Sequence, residues 1–314
     1  MLYPCAPAAV AEPDSVLLPG HDVPLGRYTI VRRMLPQREL RTVGAWCFVD
    51  EFGPDEVEDR PGMRIGPHPH TGLQTVSWLI AGEVLHRDSL GNLQSIVPGQ
   101  LNVMTAGRGI AHSEEAPAVH PPVMHGLQLW VALPEDARHG EPRFEHYPAM
   151  PVLGLDEARV TVVVGALGGV VSPAVVHSPL LGADIEVHGA ARLPLEPAFE
   201  HAVLVTSGRA EVAGVALDKG TLLYLGPGRT DLALRAPGGA ARLFLLGGEP
   251  FEEPLVMWWN FVGRTHEDIV SAREDWMAGR RFGTVSGFDG DPLPAPAMPT
   301  TRLKSRTRAG HTAG

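Results

Sequence analysis

The run MTAGRGIAHSE, at residues 104–114, is the most informative stretch of the sequence, and it ends in His112 and Glu114, two positions apart. An earlier run, GPHPH at residues 66–70, ends in His68 and His70 with the same spacing. Side chains at positions i and i+2 of a β-strand project from one face of the sheet. If the two strands face each other inside one barrel, the four side chains converge as three imidazole nitrogens and one carboxylate oxygen.

This set of donor atoms is selective for the kind of metal. Imidazole with carboxylate suits iron, manganese, nickel, copper or zinc, whereas calcium and magnesium prefer oxygen ligands throughout. Three histidines and one glutamate also leave two octahedral positions for water, dioxygen or a substrate. We therefore predict that one divalent transition metal is bound by His68, His70, His112 and Glu114.

The rest of the chain indicates an all-β protein with an internal duplication. β-Rich runs such as residues 74–80, 160–164 and 202–205 recur at short intervals with turn residues between them. The 36 glycines and 30 prolines are spread along the sequence, as frequent turns require. The run PGQLNVM at residues 98–104 is echoed by KGTLLYL at residues 219–225. A duplicated β-barrel explains this repeat, with the join in the proline-rich stretch 142–151.

From these patterns we expect five segments along the chain. They are a flexible N-terminal segment (1–20), a metal-binding barrel (21–140), a second barrel without a metal site (141–262), a short helix (263–284) and an extended tail (285–314). The helix is indicated by Thr265 and Asp268, which resemble a capping box. Carrying the repeat into the second barrel gives the residues that replace the metal ligands there: Pro194, Glu196, Ala233 and Arg235.

The glycines around the histidines give the first resemblance to a family. The spacing from Gly62 through His68 and His70 to Gln74 is similar to the first cupin motif, with Gln74 in place of the usual Glu. Four runs then resemble the pirin family within the cupins: GPHPH (66–70), GEVLHRDSLGN (82–92), MTAGRGIAHSE (104–114) and HGLQLWV (125–131). The resemblance is strong from about residue 27 to residue 134 and weaker beyond.

The pirin resemblance implies a bicupin with one iron in the N-terminal barrel, held by His68, His70, His112 and Glu114. It further implies quercetin 2,3-dioxygenase activity, as in some members, or the role of a protein-binding transcriptional co-regulator, as in others. The sequence departs from the common family pattern directly after the first two histidines. Three residues differ there, Thr71, Leu73 and Gln74, so the resemblance fixes the metal ligands better than it fixes the substrate.

Composition excludes several other functions. The net charge of −10 opposes direct binding to the phosphate backbone of nucleic acids. The stretch from Val160 to Ala183 carries no acidic or basic side chain, but its glycines and prolines argue against a membrane helix. The start of the chain lacks the basic residues of a secretory signal, and two cysteines do not indicate a disulfide framework. We therefore expect a cytoplasmic protein.

Two functions stay open at this point. The first is an Fe(II)-dependent dioxygenase that acts on a small polyphenol or enediol-like substrate with dioxygen, with Glu114 as the catalytic base. The second is a non-catalytic, iron-dependent sensor of redox state that docks a protein partner. An accessible cavity that reaches the metal distinguishes the enzyme from the sensor. We expect His86 to serve a polar hairpin turn, and residues 258–261, WWNF, to form an apolar anchor before the helix.

Overall fold

Short β-strands make up nearly all the regular structure in the computed structural model, which describes residues 15–25, 29–60 and 62–306. Because glycine and proline punctuate the sequence, the longest strand in the described ranges has 13 residues. Twelve strands belong to the first half of the sequence: β1 (Ser15–Pro19), β2 (His21–Leu25), β3 (Thr29–Leu35), β4 (Trp46–Glu56), β5 (Arg64–His70), β6 (Leu73–Ala81), β7 (Val84–Asp88), β8 (Leu93–Ile96), β9 (Leu101–Thr105), β10 (Ile110–Glu115), β11 (Val123–Ala132) and β12 (Arg143–Tyr147).

Thirteen strands and one helix follow in the second half. They are β13 (Val152–Leu155), β14 (Ala158–Val164), β15 (Ala166–Leu167), β16 (Val170–Val171), β17 (Leu180–Val187), β18 (Ala190–Pro194), β19 (Glu200–Val212), β20 (Val215–Asp218), β21 (Thr221–Leu225), β22 (Asp231–Arg235), β23 (Ala241–Gly248), β24 (Val256–Trp258), β25 (Phe261–Gly263) and α1 (His266–Met277). The expected all-β fold of two cupin-type barrels with a short helix is confirmed.

The first barrel consists of two antiparallel sheets that enclose an apolar core. A seven-stranded sheet runs in the order β12-β9-β6-β11-β4-β3-β2, and a four-stranded sheet in the order β5-β10-β7-β8. Val31 and Phe52 of the larger sheet pack with Ile65, Val84 and Ile96 of the smaller one. The smaller sheet carries all four predicted metal ligands, so its inner face determines the chemistry of this barrel.

The second barrel is one ten-stranded sheet whose main path is β1-β21-β19-β23-β17-β14-β13. The first of these strands corrects an expectation. Residues 15–19 fall in the segment expected to be flexible, yet β1 pairs with β21, and Leu18 is buried in the core. Residues 1–14 of that segment lie outside the described residues. The short run SVLLP gave no indication of this strand; the structure shows that burial of Leu18 stabilises it.

The expected boundary between the barrels also differs from the structure. Strand β12 pairs with β9 from Arg143 to Tyr147, so the sheet of the first barrel continues past residue 140. The two barrels share one apolar core, which includes Trp46 of the first half and Phe244 of the second. The Trp46 indole N–H donates to the Leu181 carbonyl oxygen at 3.0 Å, which satisfies its only polar atom inside this core.

The single described helix begins as the sequence predicts. Thr265 accepts a hydrogen bond from the Asp268 backbone, and Asp268 accepts one in return from the backbone of Thr265, which completes the capping box. The helix buries Ile269 and Ala272, whereas Met277 at its end is half exposed. Among the residues described, no helix has the length and apolarity that a bilayer crossing requires.

The segment after the helix returns to the first barrel. Residues 278–306 form no further helix or strand apart from one bridge between Arg306 and Leu255. Leu293 donates its backbone N–H to the Pro67 carbonyl oxygen at 2.8 Å and accepts the Trp276 indole N–H at 2.8 Å. This segment therefore lies against strand β5, next to the predicted metal ligands.

Candidate metal centre

Strands β5 and β10 bring the two histidine pairs of the sequence face to face. They pair antiparallel with His112 opposite His68 and Ile110 opposite His70. Gly109 precedes β10 with a φ of +155°, and a Cβ there would lie 3.1 Å from the Phe282 ring. Glycine therefore lets β10 start tightly under the segment that follows the helix.

The three imidazoles converge on one point inside the barrel. One ring nitrogen from each of His68, His70 and His112 lies within 4.8 Å of the other two, and all three residues are buried. The Nε2 atoms of His70 and His112 are 3.1 Å apart. Two nitrogen lone pairs at this distance repel each other unless a proton or a cation lies between them. This donor set fits a single divalent metal ion.

Backbone carbonyls fix the orientation of two of these rings. The Nδ1 atom of His68 lies 2.9 Å from the Gly66 carbonyl oxygen, and that of His70 lies 3.1 Å from the Asn260 carbonyl oxygen. A carbonyl can only accept, so each Nδ1 carries the proton and donates it. The Nε2 atoms are then left with free lone pairs, as metal ligation requires.

The third ring, of His112, is oriented by a second histidine. Its Nδ1 atom lies 3.4 Å from Nδ1 of His86, and Nε2 of His86 lies 3.1 Å from an Asp88 carboxylate oxygen. The carboxylate accepts from His86 Nε2, so Nδ1 of His86 is free to accept from His112. Asp88 also accepts from the backbone of Leu90 and Asn92, so the expected polar turn is present. Sequence reasoning missed the contact between His86 and His112.

Burial sets the protonation of the histidine cluster. Desolvation lowers the pKa of His68 to about 4 and holds the pKa values of His70 and His112 well below their usual range. All three imidazoles are therefore neutral near pH 7. Neutral imidazole is the form that binds a metal.

The fourth predicted ligand, Glu114, lies in the same cavity but beside the histidine cluster. Among the described residues, the convergent group consists of the three histidines. A shift of register between His112 and Glu114 in the pairing with β5 changes the direction of the strand at this point. Burial raises the pKa of the Glu114 carboxyl to about 7. The sequence predicted that the Glu114 carboxylate would lie at the same point as the three imidazoles, whereas in the structure it lies beside them.

A cavity of about 420 Å³ opens onto the histidines. Its volume is in the range typical of small-molecule sites. Aromatic rings form much of its wall: Phe48 stacks on Trp130 with centroids 4.0 Å apart, and the Trp130 ring lies 5.1 Å from His70. On the same side Arg33 pairs with Asp50 through two hydrogen bonds of 2.9 and 2.8 Å. Flat apolar walls with a few polar groups suit an aromatic ligand that carries hydroxyl groups.

Two residues of the run WWNF have a different place from the one expected. Trp259 and Asn260 line the cavity, and the Asn260 carbonyl also holds His70. The apolar anchor is formed instead by Phe261, which is fully buried against Ala111 and the helix. The signal that could have identified Asn260 is its polarity within an otherwise apolar run.

The residues that depart from the common family pattern lie away from the cavity. Gln74 is buried between the barrels and donates to Thr105 at 2.9 Å and to the Val175 carbonyl at 3.1 Å. Leu73 is part of the shared core, and Thr71 bridges to Phe261. None of the three lines the cavity at the histidines. The three differences from the family pattern therefore change the packing around the metal centre and not the lining of its cavity.

In the second barrel, the side chains that point into the core are one position away from those that the sequence repeat predicted. Strand β18 pairs with β22 as β5 pairs with β10. However, Ala233 and Arg235 of β22 point away from the core, as do Pro194 and Glu196. The inward positions on these two strands are held by leucines: Leu193, Leu232 and Leu234. One residue more or less in a turn reverses the face of every side chain that follows.

The chain matches two family models, one described as Pirin over residues 28–131 and one described as Pirin C-terminal cupin domain over residues 182–283. A Pseudomonas aeruginosa protein named "putative quercetin 2,3-dioxygenase" is 46% identical over 88% of each chain. Human Pirin is 31% identical over 78% of this chain and 86% of its own. The crystal structure of a quercetin 2,3-dioxygenase from Acinetobacter baumannii superimposes with a TM-score of 0.89, at 42% identity, over 95% of this chain and 98% of that one.

Proposed function

The chain belongs to the pirin family, whose members are bicupins, and on that premise we propose that it is a metal-dependent dioxygenase of the quercetin 2,3-dioxygenase type. The substrate in this proposal is a small polyphenol such as a flavonol. The observation that carries the proposal is the cavity of about 420 Å³, which joins the histidine cluster to flat aromatic walls. Two similar proteins bear the name of this activity, which supports the same choice.

In this proposal His68, His70 and His112 hold one divalent metal ion, Fe(II), and Glu114 is the fourth ligand. When bound, such an ion supplies Lewis acidity towards a phenolic oxygen and electron exchange with dioxygen. The contribution of the protein is to present three neutral imidazoles in fixed tautomers. Gly66, Asn260 and His86 do this through the outer ring nitrogens.

The catalytic group that we assign is Glu114. It lines the cavity next to the histidines, and a carboxylate there can accept the proton of an enolic hydroxyl group as the substrate binds. Removal of the hydroxyl proton makes the ring electron-rich, which is the form that reacts with dioxygen.

The cavity wall would orient a flat substrate between apolar and polar surfaces. Phe48, Trp130 and Trp259 offer ring faces, and burial of an aromatic substrate among them expels water. Gln128 and the Arg33–Asp50 pair offer donors and acceptors for peripheral hydroxyl groups. Arg33 is held over the Phe48 ring at 4.4 Å, so its guanidinium is already positioned before a substrate enters.

The sensor hypothesis loses support from the same cavity. A redox sensor that acts through its surface has no need of an internal space of this size beside the metal ligands. A cytoplasmic location, which the sequence suggests, remains part of the proposal. The free and buried Cys47 fits such a reducing compartment.

Oxygen uptake with a flavonol tests the proposal. We expect anaerobically iron-loaded protein to consume one dioxygen per quercetin and His70→Ala to lose both iron and uptake. His146→Gln is the matched control, since His146 does not line the cavity and, among the described residues, its side chain bonds to Asn102. If iron-replete, reduced protein consumes no oxygen with any enolic substrate but binds a protein in an iron-dependent way, the sensor hypothesis replaces the enzyme.

A further inference from the structure

A second cavity, of about 390 Å³, lies where the stretch before β4 and the C-terminal end of the described chain meet strand β24. Its wall is formed by Arg41 and Thr42 ahead of β4, by residues 255–257 around β24, and by residues 301–304 and 306 of the C-terminal segment. The bridge between Leu255 and Arg306 closes one side through two backbone hydrogen bonds of 2.9 Å. Neither the proposed activity nor the metal centre uses any of these residues.

Positive charge is concentrated in this cavity although the protein as a whole carries a net charge of −10. Four cationic side chains line it: Arg41, Arg302, Lys304 and Arg306. Arg302 is neutralised by Glu267 at 2.6 Å, and the one acid in the wall, Glu253, pairs with Arg264. Within the described part of the chain, the side chains of the other three cations have no ion pair or hydrogen bond.

Two of these cations, Arg41 and Arg306, lie close enough for their charges to repel each other. Arg41 is half-buried, and its burial together with the charge of Arg306 lowers the pKa of its guanidinium. Partial desolvation of a cation beside a like charge is unfavourable unless an anion offsets both. Elsewhere in the protein a half-buried arginine such as Arg33 or Arg242 has its carboxylate. Arg41 lacks one.

An unpartnered hydroxyl group in the same wall is independent support for a ligand. Thr42 is 2% exposed, and its Oγ1 atom has no hydrogen-bond partner among the described residues. A buried hydroxyl left in this state loses its hydrogen bonds to water without replacement, which is unfavourable unless a ligand accepts from it. Because Thr42 follows Arg41 in the chain and lines the same cavity, a single anion could accept from both.

We propose that this cavity is a binding site for a phosphate dianion. The guanidinium of Arg41 offers a planar fork for two phosphate oxygens, Lys304 and Arg306 add charge, and the Thr42 hydroxyl donates to a third oxygen. Phe251 and Met257 provide apolar wall beside the charges, so the phosphate can be inorganic or carried by a small organic monoester.

Titration calorimetry in phosphate-free buffer, at matched ionic strength, tests the site with inorganic phosphate and separately with adenosine monophosphate. We expect saturable binding of one equivalent, weakened about 10- to 100-fold by Arg41→Gln, as the loss of a charged hydrogen bond predicts. Arg235→Gln removes an exposed positive charge from the second barrel and should leave the affinity within two-fold. Tighter binding of the monophosphate identifies the organic source, and equal binding identifies the free ion.

Thr42→Val separates a ligand-binding role from a structural one. Loss of an unpaired buried hydroxyl should raise the melting temperature of the ligand-free protein, and the same change should reduce the rise that phosphate produces. The proposal is overturned if wild-type protein gives no saturable heat with either phosphate compound at millimolar concentration. Equal phosphate affinity in Arg41→Gln and wild type would overturn it as well.

Discussion

Replacement of His86 by leucine tests how much the metal centre depends on a residue outside the ligand set. Leucine fills a similar space but cannot accept the hydrogen bond from His112 Nδ1, which spans 3.4 Å. The His112 ring then loses the contact at Nδ1 that, among the described residues, fixes its tautomer. Loss of such an outer partner typically costs 10- to 100-fold in metal affinity, or about 1.4–2.7 kcal/mol. The contact is long, so we expect a value near the lower end.

The assay is competition for metal between the protein and a chromophoric chelator under anaerobic conditions. Two further variants make the result specific. His86→Gln restores an amide oxygen that can accept from His112, and it should recover part of the lost affinity. Phe144→Leu removes the ring that stacks on His86 at 4.3 Å but keeps the hydrogen bond, and it should change affinity by less than two-fold.

Two results would refute this reasoning about His86. The first is a folded His86→Leu protein that competes for metal as well as wild type does. The second is a His86→Gln protein no better than His86→Leu, since that would show that ring packing matters and the acceptor atom does not. Circular dichroism of each variant establishes that the barrel is intact before the affinities are compared.

Three other predictions follow from the two barrels. Glu114→Gln should keep measurable iron but reduce turnover by about 10²–10⁴-fold if Glu114 is the base; unchanged activity per bound iron would make it a ligand only. Dialysed, metal-loaded protein should retain about one equivalent per chain, and two retained equivalents would contradict the assignment of a single site. Burial holds the pKa of His201 at about 4, below the 6.5 of an unfolded chain, so stability is lost as pH falls from 6.5 towards 4. In urea unfolding of the metal-free protein, His201→Leu should remove about 2–3 kcal/mol of that loss, and equal acid sensitivity in variant and wild type would show that His201 is not responsible.

The sequence predicts the histidine cluster because each pair of predicted ligands lies within one short stretch of the chain. His68 and His70 share one strand, and alternation alone places them on one face. What holds the rings could not be predicted in the same way. The carbonyl that orients His70 belongs to Asn260, 190 positions further along the chain, and a backbone carbonyl is present at every residue.

The strand partners at the barrel edges show a similar limit. Residues 15–19 make five pairs with β21, more than 200 positions away, and a run of five residues gives no indication of which sheet it will join. The position of Glu114 depends on an irregularity in strand pairing after His112, and strict alternation does not anticipate it. Local periodicity therefore predicted which residues share a strand face but not where that face bends.

The contrast between the barrels explains why the cavity of about 420 Å³ lies beside the histidines of the first barrel. Strand β10 turns His112 inward, whereas β22, its counterpart by pairing, turns Leu232 and Leu234 inward at 0–1% exposure. Leucine offers no lone pair and fills the volume that a ligand would need, so these positions stabilise the second barrel by burial. His201 is buried there with neither ring nitrogen hydrogen-bonded to a described residue. A buried histidine is thus not sufficient for a metal centre, because the first barrel adds acceptors for the outer nitrogens and an open space in front of the inner ones.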